Sequence, residues 1–234
     1  MNKWYGDVTP LNLTFKSIPA YLALADERIC RNSTVDILMV LDESGSIKIR
    51  NFERHVKEGV KSFINEFNVG AGPDTTRFAI ITFASSANLD YRFSDPQSNQ
   101  ALTTAIQNLV YRRGGTNTAE ALTLATTYLR SEAKREDEVG QEIPRIVIVV
   151  TDGNANSDIS EFVLVLHTVA DRVFAIGVGT EVNLATLELI ATTQISSSDA
   201  MQERNTTTVF HLPDFNSFTR AAVGLAGTVC KQMG

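Results

Sequence analysis

The chain has 234 residues, 43% hydrophobic and 21% charged, with 21 Lys and Arg against 27 Asp and Glu for a formal net charge of −6. That length suits one domain with a full core, and the composition excludes disordered, collagen-like and coiled-coil chains. The acidic balance argues against nucleic acid as a partner, and no apolar run approaches the roughly eighteen residues of a membrane span, so no direct membrane insertion is expected.

In chain order, residues 1–29 hold scattered aromatics with Pro10 and Pro19 and do not fit the strand and helix alternation of the remaining chain; they are expected as an N-terminal extension. Met1 to Asp7 lacks the apolar stretch of a secretory signal, which leaves either a cytosolic protein or one whose signal lies outside this chain. The two cysteines, Cys30 and Cys230, bracket every strongly patterned segment. Their placement suggests a disulfide, with two unrelated buried thiols as the alternative. Such a bridge would remove up to roughly 5 kcal/mol of unfolded-state entropy. The expected organisation is therefore 1–29, a domain over 30–230, and a tail over 231–234. Asn12, Asn32 and Asn205 each open an Asn-x-Ser/Thr site and are N-glycosylation candidates. Together with the cysteines they favour an extracellular setting, secreted or the ectodomain of a membrane protein.

From Val35 a nearly continuous β-branched apolar run predicts a strand covered on both faces, and similar runs recur at 77–83, 145–151 and 172–178, with a weaker one at 208–212. Between them lie helical patterns. Phe52, Val56, Val60, Phe63, Ile64 and Phe67 share one helix face opposite Glu53, Lys57, Lys61 and Glu66. Further helices are expected at 102–109, 119–129, 159–169, 184–190 and 215–229, the last with Phe215, Phe218, Val223 and Leu225 in the core. The short run 88–93 follows its neighbour too closely for a helical crossover and predicts a hairpin. The charged stretch 131–142 reads as a solvated helix end and loop. The fold expected is α/β: a doubly wound, mainly parallel central sheet with one antiparallel edge strand and helices on both faces.

Ligands of open α/β sheets bind beyond the carboxyl ends of the strands. Two loops there are distinctive, Asp42-Glu43-Ser44-Gly45-Ser46 after the first strand and Thr151-Asp152-Gly153-Asn154 after the 145–151 strand, and a third, Gly114-Gly115-Thr116-Asn117-Thr118, precedes the helix expected from Ala119. They offer Asp42, Ser44, Ser46, Thr116 and Asp152, all hard oxygen donors, which suit Mg²⁺ or Mn²⁺ rather than zinc or copper. Taken alone, Asp42-x-Ser-x-Ser also reads as a turn and N-cap for the Phe52 helix, and Thr116 as a cap for the helix that follows it. A calcium loop beginning at Asp152 is rejected, because Ser157 stands where the glycine is required and Val163 where the glutamate is.

These three motifs, in this order, resemble the von Willebrand factor type A domain, the integrin I-like fold, in its extracellular adhesion and matrix form, over roughly 35–230. The resemblance implies a metal-ion-dependent adhesion site. In it Ser44 and Ser46 would ligate Mg²⁺ or Mn²⁺ directly, Thr116 directly or through water, and Asp42 and Asp152 mostly through water. A carboxylate from a partner would complete the ion's coordination, so the implied partner is an extracellular protein, a matrix protein such as collagen or a cell-surface receptor. The bracketing cysteines fit the extracellular members. A departure is the run Asp152 to Asp158, where many members carry a serine nearer the aspartate. Glu43, Arg112, Arg113, Gly115 and Asn154 border the loops and are the candidate ligand rim, with the arginines expected to attract an acidic group.

An enzyme is the competing class, and the sequence resists it. Gly177-Val178-Gly179 lacks the completion of a dinucleotide-binding loop, no Walker or Gly-x-Ser-x-Gly motif occurs, and His55, His167 and His211 lack zinc spacing. A structural matrix element whose ion only braces the fold is the other alternative.

Overall fold

The computed structural model describes residues 30–152, 155, 157–191 and 208–232. The expected extension over 1–29, the sites at Asn12 and Asn205, the rim residue Asn154 and the end of the tail lie outside the described residues.

Six strands form one sheet: β1 (Asp36–Asp42), β2 (Arg77–Phe83), β3 (Ala87–Tyr91), β4 (Arg145–Thr151), β5 (Arg172–Val178) and β6 (Val209–Leu212), in the order β3-β2-β1-β4-β5-β6. Only β3 runs antiparallel, as the short β2–β3 connection requires. Every residue of β1 and β4 is buried, because alternate side chains enter two different cores. Ile37, Met39 and Leu41 join one core, and Leu38 and Val40 the other. This is why these strands read as continuous rather than alternating apolar runs.

On the first face pack a π-helical turn (Phe52–Val56), which the exposed α1 (Ile49–Asn51) leads into, α2 (Lys57–Ile64), α3 (Asn99–Asn108) and α7 (Phe215–Lys231); on the second pack α4 (Thr118–Ser131), α5 (Ser160–Leu166) and α6 (Leu184–Ala191). The expected helix face from Phe52 is present, but the helix starts earlier, at Ile49, and carries the π turn; Phe67 is buried beyond its end. Val223 departs from expectation. It lies on the outer face of α7, 51% exposed, while Phe215, Phe218 and Leu225 are core. Cys30 and Cys230 are joined in a disulfide with Cα atoms 5.4 Å apart, tying α7 to the turn just before β1. Asn32 is exposed on that turn.

The stretch 131–142 is more than a solvated loop. Arg135 Nε and Nη2 donate to Asp36 Oδ1 at 3.0 and 2.7 Å, and Arg77 Nε and Nη2 donate to the same carboxylate at 3.0 and 2.6 Å. Asp36 opens β1, so the two arginines neutralise a buried acid at the amino end of the sheet.

Candidate functional site

Chain order reverses between β1 and β4, which makes their carboxyl ends the switch point where an open α/β sheet forms a crevice. The register pairs Leu41 with Val150, so Asp42 lies beside Thr151, with Asp152 next in the chain. Asp42 is buried. Its Oδ1 accepts from the Ser44 amide at 2.8 Å and its Oδ2 from Thr151 Oγ1 at 2.7 Å. The Ser44 and Ser46 hydroxyls stand 3.0 Å apart in the turn after β1.

Loops one and two are bound to each other. The Gly45 amide donates to Gly114 O at 3.0 Å, and the Tyr111 hydroxyl to Ser44 O at 3.0 Å. The Gly115 amide donates to Ser85 Oγ at 2.8 Å, and Gly114 has φ 136° where a Cβ would lie 2.4 Å from that hydroxyl, so glycine is required there. Thr116 is thereby carried, buried, to the same end of the sheet.

The candidate ligands of the first two loops are not helix caps. The N-cap of α4 is Asn117, whose Oδ1 accepts from the Glu120 amide, and the helix after loop one begins from Lys48 with no side-chain cap. Asp42, Ser44, Ser46 and Thr116 are thus left without a capping duty.

Of the candidate rim, Glu43 is placed differently from expectation, and Arg112 is bound to it. Glu43 is wholly buried, accepting from the Arg112 amide at 2.7 Å and from Arg112 Nη1 at 3.0 Å. Arg112 also donates to Thr82 Oγ1 and Asp90 Oδ1, each at 2.8 Å, so its guanidinium is already engaged within the protein although it is partly exposed. Arg113 and Gly115 are exposed. Tyr111, Ser85 and Thr151 also shape the site, beyond the candidates that the sequence offers. For Thr151 the available signal is its place immediately before Asp152.

Three acids are buried among the described residues: Asp36, Asp42 and Glu43. Asp36 meets two arginines and Glu43 meets one, whereas no Lys, Arg or His among the described residues pairs with Asp42. Burial therefore pushes the Asp42 carboxyl up to about 6, against the hydrogen bonds from Thr151 and Ser44, and the nearby Asp152 charge adds to the rise. Among the described residues no three His, Cys, Asp or Glu side chains gather as a metal centre, and the donors beside Asp42 are hydroxyls and the Asp152 carboxylate. A buried carboxylate without a cationic side chain, set among hydroxyl oxygens, fits a hard divalent cation.

This fold and this constellation define a class. The chain belongs to the von Willebrand factor type A domain family, whose model matches residues 36–222. It is 30% identical over 186 residues to mouse matrilin-1, covering 77% of this chain and 36% of that protein, and 25% identical over 203 residues to the human collagen alpha-1(XXI) chain, covering 87% of this chain and 19% of that one. It thus spans only a minor part of these curated relatives. Among solved structures it resembles proximal thread matrix protein 1 from the mussel byssus, with a zinc-occupied MIDAS motif, at TM-score 0.68 and 25% identity over 86% of this chain and 47% of that one. Manganese-loaded TRAP of Plasmodium vivax shares the fold at TM-score 0.61 and 23% identity, covering 84% of this chain and 72% of that one.

Proposed function

We propose that the chain is an extracellular binding module that takes an acidic group of a protein partner through a divalent cation held by Asp42, Ser44, Ser46, Thr116 and Asp152. The observation that carries this is Asp42, the one buried acid among the described residues without an arginine, beside serine hydroxyls 3.0 Å apart. Ser44 and Ser46 would ligate directly, Thr116 directly or through water, and Asp42 and Asp152 mostly through water. With few anionic ligands, the cation, Mg²⁺ or Mn²⁺, would retain positive charge and an open position for an incoming carboxylate.

The zinc-occupied motif of the mussel byssus protein supports a divalent ion at these loops, and its loading with zinc makes the identity of the ion an experimental matter. The matrilin and collagen relatives support a matrix protein, such as a collagen, as partner, and a cell-surface receptor is the other candidate. They also support an extracellular location, as do the disulfide and the exposed Asn32 site. No helix among the described residues is long and apolar enough to cross a membrane. The function proposed is binding and not catalysis, and the domain is proposed to span 30–230.

The test is thermal unfolding across Mg²⁺ and Mn²⁺ titrations with an EDTA control, for the parent and Asp42→Ala. A ligand that binds only the folded state raises its stability by RT ln(1 + [L]/Kd). A saturable rise in midpoint that the variant lacks supports the site. An unchanged midpoint with both ions refutes it.

A further inference from the structure

Among the described residues only Lys48 and Arg113 are non-glycine residues with positive φ, at 65° and 59°. Both are basic, both are exposed, and each adjoins one of the loops that would hold the cation. Left-handed backbone at a residue with a side chain costs free energy, and such strain gathers at functional positions. Arg113 and Arg112 are adjacent in sequence but have opposite fates. Arg112 turns inward onto Glu43, Thr82 and Asp90. Arg113 turns outward over loop one: a Cβ on Gly45 would lie 3.7 Å from Arg113 Cγ and 3.8 Å from its Nε. Its guanidinium has neither an ion pair nor a hydrogen bond among the described residues. The unpaired guanidinium of Arg113 thus sits on a side chain that passes over Gly45, between Ser44 and Ser46, on a protein whose net charge is −6.

We infer that Arg113 is a specificity residue that selects partners carrying a second carboxylate close to the one taken by the cation. The inference rests on the metal-dependent function proposed for these loops and adds the chemistry of the partner: an acidic peptide segment with two neighbouring Asp or Glu side chains. The first would ligate the bound cation and the second would receive the paired N–H groups of the guanidinium, a geometry that lysine does not reproduce.

The experiment is a selection of a random linear peptide library against the immobilised chain in Mg²⁺ and in EDTA, followed by affinities of individual synthetic peptides. The variants are Arg113→Gln, Arg113→Lys and Arg113→Gly. Glycine accepts a φ of 59° without strain, so Arg113→Gly keeps the loop fold while deleting the fork. The expected result is Mg²⁺-dependent enrichment of peptides with paired acids. Their affinity should fall about threefold to tenfold in Arg113→Gln and Arg113→Gly and less in Arg113→Lys, with single-acid peptides unaffected. Mg²⁺-dependent enrichment of single acids only, or paired-acid binding unchanged in Arg113→Gly, overturns the inference and leaves the metal-dependent function standing. Absence of any Mg²⁺-dependent enrichment overturns both.

Discussion

Thr151, the last residue of β4, donates its hydroxyl hydrogen to Asp42, the last residue of β1, at 2.7 Å. Two parallel neighbours thereby end in one hydrogen bond, and with the Ser44 amide on the other oxygen the Asp42 carboxylate has its orientation fixed from both sides. That bond also joins the third loop to the first, as Gly45 to Gly114 joins the second.

Replacing Thr151 with Val keeps the shape and removes the donor. Asp42 Oδ2 then stays buried with one fewer partner, at an expected cost of about 1 to 3 kcal/mol. Urea denaturation in EDTA reads that loss. Repeating it with saturating Mg²⁺ should show a smaller metal-induced gain than in the parent, because the carboxylate is no longer pre-oriented. Equal stability of the two proteins in EDTA would show that the bond contributes nothing.

Glu43 and Arg112 give an asymmetric pair of variants. Glu43 is fully buried, while the Arg112 side chain is 34% exposed and has Asp90 as a second acid. Removing the arginine strands a buried charge, which typically costs about 3 to 5 kcal/mol, whereas Glu43→Gln leaves a neutral amide facing an arginine that still has Asp90. Arg112→Met should therefore destabilise more than Glu43→Gln, and the double variant less than the sum of the two. A double-mutant cycle by chemical denaturation measures this, and additive losses would contradict the coupling.

The three loops are legible in the sequence because each is a local run: the first and third directly follow strands that their own hydrophobicity declares, and the second leads directly into α4. The same holds for the sheet, whose continuous runs in β1 and β4 follow from burial on both faces. What escapes a sequence reading is long-range. Arg135 meets Asp36 from 99 residues away, so nothing near either residue shows that the charged stretch 131–142 supplies a buried counter-charge. Adjacent Arg112 and Arg113 look alike until Glu43 claims one of them. Val223 is misassigned to the core by pattern alone, because α7 buries a stripe through Phe215, Phe218, Ala222 and Leu225, and only its rotation against α2 decides which neighbouring apolar residue stays outside.

Gly59 sits in α2 where α7 crosses it, and a Cβ there would lie 2.5 Å from Cε1 of Phe218. Two effects oppose each other in Gly59→Ala. Alanine in a helix interior gains about 1 kcal/mol over glycine. Against this, Phe218 is a buried ring that must be displaced, and overpacking costs roughly 1 to 3 kcal/mol. The clash should win, giving net destabilisation of up to about 2 kcal/mol in a denaturant titration. A more stable variant would mean that α7 moves away from α2 at little cost.

The amino end of α7 makes a pH prediction whose sign is fixed. Asp214 is its N-cap, and its carboxylate accepts from the Ser217 amide at 2.6 Å. That backbone hydrogen bond, with further help from the Ser217 side chain, holds the Asp214 carboxyl below its ordinary 3.8. A carboxyl lowered by folding adds stability that is fully present above its unfolded value and is lost as the pH falls through the folded one. Between pH 7 and pH 5 the contribution should stay constant, and it should fade only below about pH 4. Asp214→Asn keeps a capping oxygen without the charge. Its stability relative to the parent should therefore be lowest near neutrality and approach the parent's as acid neutralises Asp214. Denaturant midpoints of both proteins in EDTA at several pH values test this, and a constant difference down to pH 3 would show that the cap's charge is not linked to folding.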